Sequence, residues 1–107
     1  MAVEWDAARH QRTADWVQEN LDAEDGVLPA EIKQRVPSRL RREIEAEFPN
    51  KWLAILATRV DELVSVCEGR LLATARSRRA LEALLKPVMT DLPGRSPFTY
   101  YNYRPAV

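Results

Sequence analysis

Apolar residues recur at steps of three and four along the second half of the chain, and this spacing is the strongest pattern in the sequence. Helical spacing keeps such residues on one face, whereas a strand would send alternate residues to opposite faces. The pattern predicts one long helix from about 50 to 86, which Asn50 caps and Pro87 ends. Gly69 lies inside it, and the spacing does not decide between a bend and a break there. The stripe consists of Leu53, Leu56, Val60, Leu63, Val64, Cys67, Leu71, Ala75, Leu81, Leu85 and Val88.

Three shorter helical segments precede this stripe, at residues 3–22, at 29–36 behind Pro29, and at about 38–48 behind Ser38. Each of the two short segments offers only one apolar residue per turn, so neither should be stable alone. We therefore expect an all-α fold of about four helices, packed around one long C-terminal helix, as a single helical domain over residues 1–89.

The pattern changes over residues 90–107, where a turn signal at 91–94 is followed by two prolines and four aromatic residues. This composition predicts an extended, proline- and tyrosine-rich tail that either packs on the helical domain or projects from it. In an extended segment, Tyr101 and Tyr103 share one face and Tyr100 lies on the other.

Net charge is zero, but its distribution along the chain is uneven. Residues 1–32 hold eight acidic residues and two arginines, whereas residues 33–107 hold fourteen basic and eight acidic residues. Either the acidic first helix lies against the basic remainder, or two surfaces meet partners of opposite charge.

Catalytic machinery is sparse, because the chain has one cysteine, one histidine and no recognisable phosphate, dinucleotide or zinc-protease motif. We therefore expect no enzyme activity, no catalytic residues, no metal, no cofactor and no small-molecule substrate. No run of apolar residues is long enough to span a membrane, and the N-terminus carries no signal-peptide pattern. A reducing, cytoplasmic compartment fits these features.

Arginine accounts for thirteen of the sixteen basic residues, and its guanidinium can grip carboxylates and phosphates with two prongs. Tyrosines add rigid contact area of the kind that protein interfaces favour. We expect a non-enzymatic protein-binding accessory protein, such as an adaptor, inhibitor or assembly factor, that masks a surface of its partner. The predicted contact residues are Arg70, Arg76, Arg78, Arg79, Tyr100, Tyr101 and Tyr103.

Three other interpretations stay open. The first is a nucleic-acid-binding regulator that uses Arg35, Arg39, Arg41 and Arg42, although the acids of the 38–48 segment would then face phosphate. The second is a structural subunit of a phage-like or other assembly. The third is a homodimer through the long helix, because Trp52, Ile55 and Val66 form a second apolar line on it.

Overall fold

The computed structural model describes residues 7–92 and 94–105, apart from the side chains of Ala7, Ala8 and His10. The described chain is mixed α/β, so the expectation of an all-α fold is wrong. The start of the predicted first helix, residues 3–6, lies outside the described residues. In chain order the elements are α1 (Ala7–Gly26), α2 (Ala30–Arg35), β1 (Ser38–Leu40), α3 (Arg41–Glu47), β2 (Lys51–Val60), β3 (Val66–Ala75), α4 (Arg78–Thr90) and β4 (Phe98–Asn102).

The four described strands form one antiparallel sheet in the order β1-β3-β2-β4. β2 and β3, of ten residues each, form a hairpin at its centre. β1 pairs with β3 on one side, and β4 pairs with the first half of β2 on the other, with Leu53 opposite Tyr100. Residues 90–107 therefore contribute an edge strand to the sheet.

Both faces of β2 are buried, because helices pack on both sides of the sheet. Ala54 packs with α4 through Leu81 and Leu85, whereas Leu53 and Ile55 pack with Ile44 of α3 on the opposite face. On the α4 face, Leu56 packs with residues that follow α1 and α4 in the chain. A strand buried on both faces has a continuous apolar run instead of an alternating one.

This two-sided burial explains why the long helix predicted at 50–86 is wrong. Residues 53–56 are all buried, and a continuous apolar run satisfies a spacing of three and four as readily as a spacing of two. The break lies at Asp61, whose carboxylate accepts the backbone N–H groups of Leu63 and Ser65, each at 2.9 Å. Leu63 and Val64 of the predicted stripe lie in this turn, where Val64 has a φ of 61°.

The last third of the predicted long helix does form a helix, α4. Ser77 caps it, since its hydroxyl accepts the backbone N–H of Ala80 at 3.1 Å. Pro87 lies inside α4 and does not end it. Upstream, Ser38 starts β1 instead of capping the helix predicted at 38–48, and α3 begins at Arg41. None of the described helices combines the length and apolar character that a membrane span requires.

Two different elements, β4 and α1, bond to the backbone of β2 along its outer edge, the edge away from β3. β4 covers Lys51–Ile55. Farther along, the side-chain amide of Gln18 in α1 donates to the carbonyl of Thr58 and accepts the N–H of Val60, each at 2.9 Å. One helical side chain thus replaces a strand at this part of the ladder.

Gly69 lies where β3 passes closest to β2, so its role differs from the helix bend considered from sequence. A Cβ atom at this position would lie 2.3 Å from Ile55 Cγ2 and 2.9 Å from the carbonyl oxygen of Leu56. Both distances are shorter than a van der Waals contact, so only glycine fits without displacing β2.

We expect Gly69→Ala to lower the free energy of unfolding by about 1–3 kcal/mol, because the methyl group overpacks the sheet. Denaturant titration followed by circular dichroism measures this difference. Gly26→Ala at the end of α1 is the control, since a Cβ there meets nothing within 4 Å. A stabilised Gly69→Ala variant would contradict the sheet, because alanine is preferred over glycine inside a helix.

Candidate docking surface

The register of the sheet brings two of the predicted contact groups to the same end of the molecule. Ala75 of β3 and Tyr101 of β4 both pair with Trp52 of β2, so the three residues form one row across the sheet. Adjacent strands lie about 4.8 Å apart, which places Ala75 and Tyr101 about 10 Å apart. Arg76 follows Ala75 directly. We call the exposed surface made by Arg76, Arg78, Arg79, Tyr101 and Tyr103 the basic–aromatic end.

The three arginines of the basic–aromatic end are all exposed. Arg78 makes a 3.3 Å ion pair with Glu82, one turn along α4, and both side chains are largely in solvent. Such an exposed pair stabilises the fold little. Within the described part of the chain, Arg76 and Arg79 have no ion pair, so their guanidinium groups are available to a partner.

Arg78 and Arg79 occupy the first turn of α4, where the helix dipole is positive and no acidic residue is present. Basic residues at this position oppose the dipole, at a cost of about 0.3–1 kcal/mol each. The charge of Arg79, which has no ion pair among the described residues, therefore does not stabilise the fold at this position. Acidic residues at the far end of α1 oppose its dipole too, but there Glu24 and Asp25 pair with arginines of the same chain.

The tyrosines of β4 divide between the two faces of the sheet, as the alternation predicts for Tyr100 and Tyr101. Tyr101 is 42% exposed and lies beside Trp52, with ring centroids 5.8 Å apart. Tyr103 follows the end of β4 and is 70% exposed. Tyr100 is half-buried on the α3 face, where its hydroxyl donates to Glu45 at 2.6 Å.

Burial and the hydrogen bond to Glu45 raise the pKa of Tyr100 to about 12. Arg41 works in the opposite direction, since its guanidinium donates to the Tyr100 hydroxyl at 3.2 Å. The hydroxyl of Tyr100 is thus committed to contacts inside the fold. Of the three predicted tyrosines, Tyr101 and Tyr103 are the exposed ones.

Arg70 belongs to the interior of the protein and not to the basic–aromatic end. It is 7% exposed, and its guanidinium grips Asp25 with two bonds, Nε to Oδ1 at 2.9 Å and Nη2 to Oδ2 at 3.2 Å. Its remaining nitrogen donates to the carbonyls of Lys33 and Val36 at 3.4 and 2.8 Å. The bonds from Arg70 hold the pKa of the Asp25 carboxyl below its usual value.

The arginines of the nucleic-acid interpretation do not form one face. Arg39 pairs with Glu47 at 2.6 Å, and Arg41 pairs with Glu45 while stacking over the rings of Phe98 and Tyr100. Arg35 and Arg42 are exposed. The two short helices of this region are separated by strand β1, so they do not form a helix-turn-helix.

One cleft of the described surface includes an arginine of the nucleic-acid interpretation. Arg35 lines a cleft of about 300 Å³ between α2 and α4, whose lining is otherwise apolar except for Asp91. Over residues 7–92 and 94–105, no three histidine, cysteine or acidic side chains are placed to hold a metal ion. Comparison with known protein families, with curated proteins and with solved structures finds no match to this chain.

Two features of this region could not be predicted from sequence. The first is the position of Trp52 between Ala75 and Tyr101, which only the sheet register creates. The burial of Arg70 depends on Asp25, which lies 45 residues away along the chain. The ion pairs of Asp25 with Arg70 and of Glu24 with Arg95 join the acidic first helix to the basic remainder, as one of the two interpretations of the charge distribution predicts.

We expect Asp25→Asn to lower the free energy of unfolding by about 2 kcal/mol at pH 7, because Arg70 loses a charged acceptor while it stays buried. Because the pKa of Asp25 is lowered in the fold, its stabilisation is complete above the usual value of 3.8 and is lost as pH falls below it. The difference between wild type and variant should therefore shrink in acid.

Denaturant titrations at pH 7 and at successively lower pH test this expectation. Asp22→Asn, also on α1 and bonded at its carboxylate only to Gln18 among the described residues, is the matched control and should change stability little. A difference between wild type and Asp25→Asn that is constant with pH would contradict the role of the carboxylate charge.

We expect the tyrosinate absorbance of the folded protein to show one late step, from Tyr100, near pH 12. A raised pKa means that Tyr100 stabilises the fold fully below its usual value of 10 and loses that contribution as pH rises towards 12. Tyr100→Phe should remove the late step, whereas Tyr103→Phe should keep it. A titration of Tyr100→Phe that keeps the step would contradict the assignment.

Proposed function

We propose that this chain is a non-enzymatic protein-binding accessory protein, an adaptor, inhibitor or assembly factor, that docks its basic–aromatic end on an acidic surface of a partner protein. The observation that carries this proposal is the pair of exposed arginines, Arg76 and Arg79, which have no ion pair among the described residues and lie at the same end of the sheet as exposed Tyr101 and Tyr103. Arginine and tyrosine are both enriched among the residues that dominate protein interfaces.

The basic–aromatic end combines two properties of a protein docking site, exposed aromatic area and positive charge. Tyr101 and Tyr103 offer rigid apolar area with a polar tip, and the arginines at the same end of the sheet supply charge that would orient an acidic partner. Arg70 and Tyr100 are left out of the proposed surface, because their polar groups already bond within the chain.

The reducing cytoplasm remains the compartment in which we place this activity, supported by a sequence with a single cysteine. Nucleic-acid binding is the weaker candidate, because Arg39 and Arg41 are already paired with acids of α3. A structural subunit is the third candidate, and it would assemble beyond a dimer.

We expect the double variant Arg76→Glu, Arg79→Glu to weaken partner binding by about tenfold or more, because two attractive charges become repulsive. Its stability should not fall, since the second change places an acid in the first turn of α4, where the helix dipole favours negative charge. Cross-linked capture from lysate of the native host, with nuclease present, identifies the partner, and titration with the purified partner measures the affinity.

The matched control is Arg12→Glu, Lys86→Glu, which changes the net charge equally at exposed positions elsewhere and should leave binding unchanged. If the docking variant and the control variant lose affinity equally, the loss comes from the change in net charge, and the proposal of a local docking site is wrong. Capture of nucleic acid, with an affinity that falls steeply with salt and depends on Arg35 and Arg42, would favour the second candidate.

A further inference from the structure

Strand β4 is an open edge of the sheet. It pairs with β2 on one side, and no other described strand pairs with its second side. Its five residues, Phe98–Asn102, include no charged residue and no proline. Natural proteins usually protect an edge with charge, proline or short length, because its unpaired backbone groups can pair with another chain.

The opposite edge of the sheet carries these protections. β1 has only three residues and includes the charged Arg39. In contrast, β4 exposes apolar area beside its free backbone, with Phe98 39% exposed on the α3 face and Tyr101 exposed on the other. The two edges of one sheet thus differ in the features that prevent pairing.

We propose that β4 pairs antiparallel with β4 of a second copy of this chain, around a two-fold axis at Tyr100. This arrangement joins two four-stranded sheets into one of eight strands. It places Thr99 opposite Tyr101 of the second copy, and Phe98 opposite its Asn102. The pairing of Thr99 with Tyr101 joins a β-branched residue to an aromatic one, which stabilises a sheet, and the strand has no charged residue that could meet a like charge.

Charges on the α3 face are complementary to those of a second copy. The guanidinium of Arg41 lies 5.0 Å from the ring centre of Phe98, at one end of β4. At the other end, Asn102 donates to the main-chain carbonyl of Glu45 at 3.0 Å. Arg41 and Glu45 already pair within each copy at 3.4 Å. Because antiparallel pairing sets Phe98 beside Asn102 of the second copy, it brings these two ion pairs together with Arg41 of each copy towards Glu45 of the other.

The basic residues that flank β4 do not oppose this pairing. Antiparallel pairing brings Arg95 of one copy near Arg104 of the other, but each arginine already has an acid of its own chain. Arg95 pairs with Glu24 at 3.2 Å, and Arg104 pairs with Glu45 at 3.6 Å. The proposed pairing uses the free edge of β4, whereas the docking proposal depends on Arg76 and Arg79, so the two can fail separately.

Sedimentation velocity and light scattering from low to high micromolar protein test the proposal. We expect the wild-type mass to double with concentration. Thr99→Lys should raise the dimer dissociation constant by about tenfold or more, because each copy brings a lysine to the pairing edge. Ala83→Lys adds the same charge at an exposed position of α4 and should dimerise as the wild type does.

Cysteine cross-linking tests the register in a background with Cys67→Ser. The double variant Thr99→Cys, Tyr101→Cys should form a covalent dimer, because directly opposite positions lie close enough for a disulfide. Thr99→Cys alone should cross-link much less, since the two Thr99 positions are diagonal neighbours. A wild type that stays monomeric at high micromolar concentration would overturn the proposal, as would Thr99→Lys dimerising normally or Thr99→Cys cross-linking as well as the pair.

Discussion

The two-pronged ion pair between Arg70 and Asp25 is the contact on which the arrangement of the helices around the sheet depends. One buried guanidinium in the central hairpin holds a carboxylate from the end of α1 and two backbone carbonyls from the end of α2. A buried charge is tolerated only when it is paired and hydrogen-bonded, so these two helix ends must stay where they are. The same contact lets α1 end in acidic residues that would otherwise oppose its dipole.

The arginines of the chain are of two kinds, those that bond within the fold as Arg70 does and those that do not. Arg70, Arg41 and Arg95 bond to acids or carbonyls of the same chain and thereby hold elements together. Arg76 follows β3, Arg79 lies in the first turn of α4, and neither has such a partner among the described residues. The tyrosines divide similarly, since Tyr100 bonds inward to Glu45 whereas the rings of Tyr101 and Tyr103 remain available.

The sequence was informative where a local signal determines the structure. Pro29 and Pro37 bound α2, and the alternation of β4 assigns Tyr100 and Tyr101 to opposite faces. It was misleading in the central hairpin, where residues 53–56 are buried on both faces and their apolar run has no period of two. Whether an arginine is buried could not be predicted, because the fold brings a distant acid, Asp25, to Arg70 and brings none to Arg76 among the described residues.

The amide of Gln18 makes the sheet harder to extend at one place and leaves the β4 side open. A foreign strand that approached the outer edge of β2 beyond Ile55 would find the backbone groups of Thr58 and Val60 already occupied by α1. The same amide limits how far β4 can slide along β2, since a shift towards the hairpin turn would displace it. The Gln18 side chain of α1 thus limits the register of β4 on β2, and with it which backbone groups of β4 face the solvent.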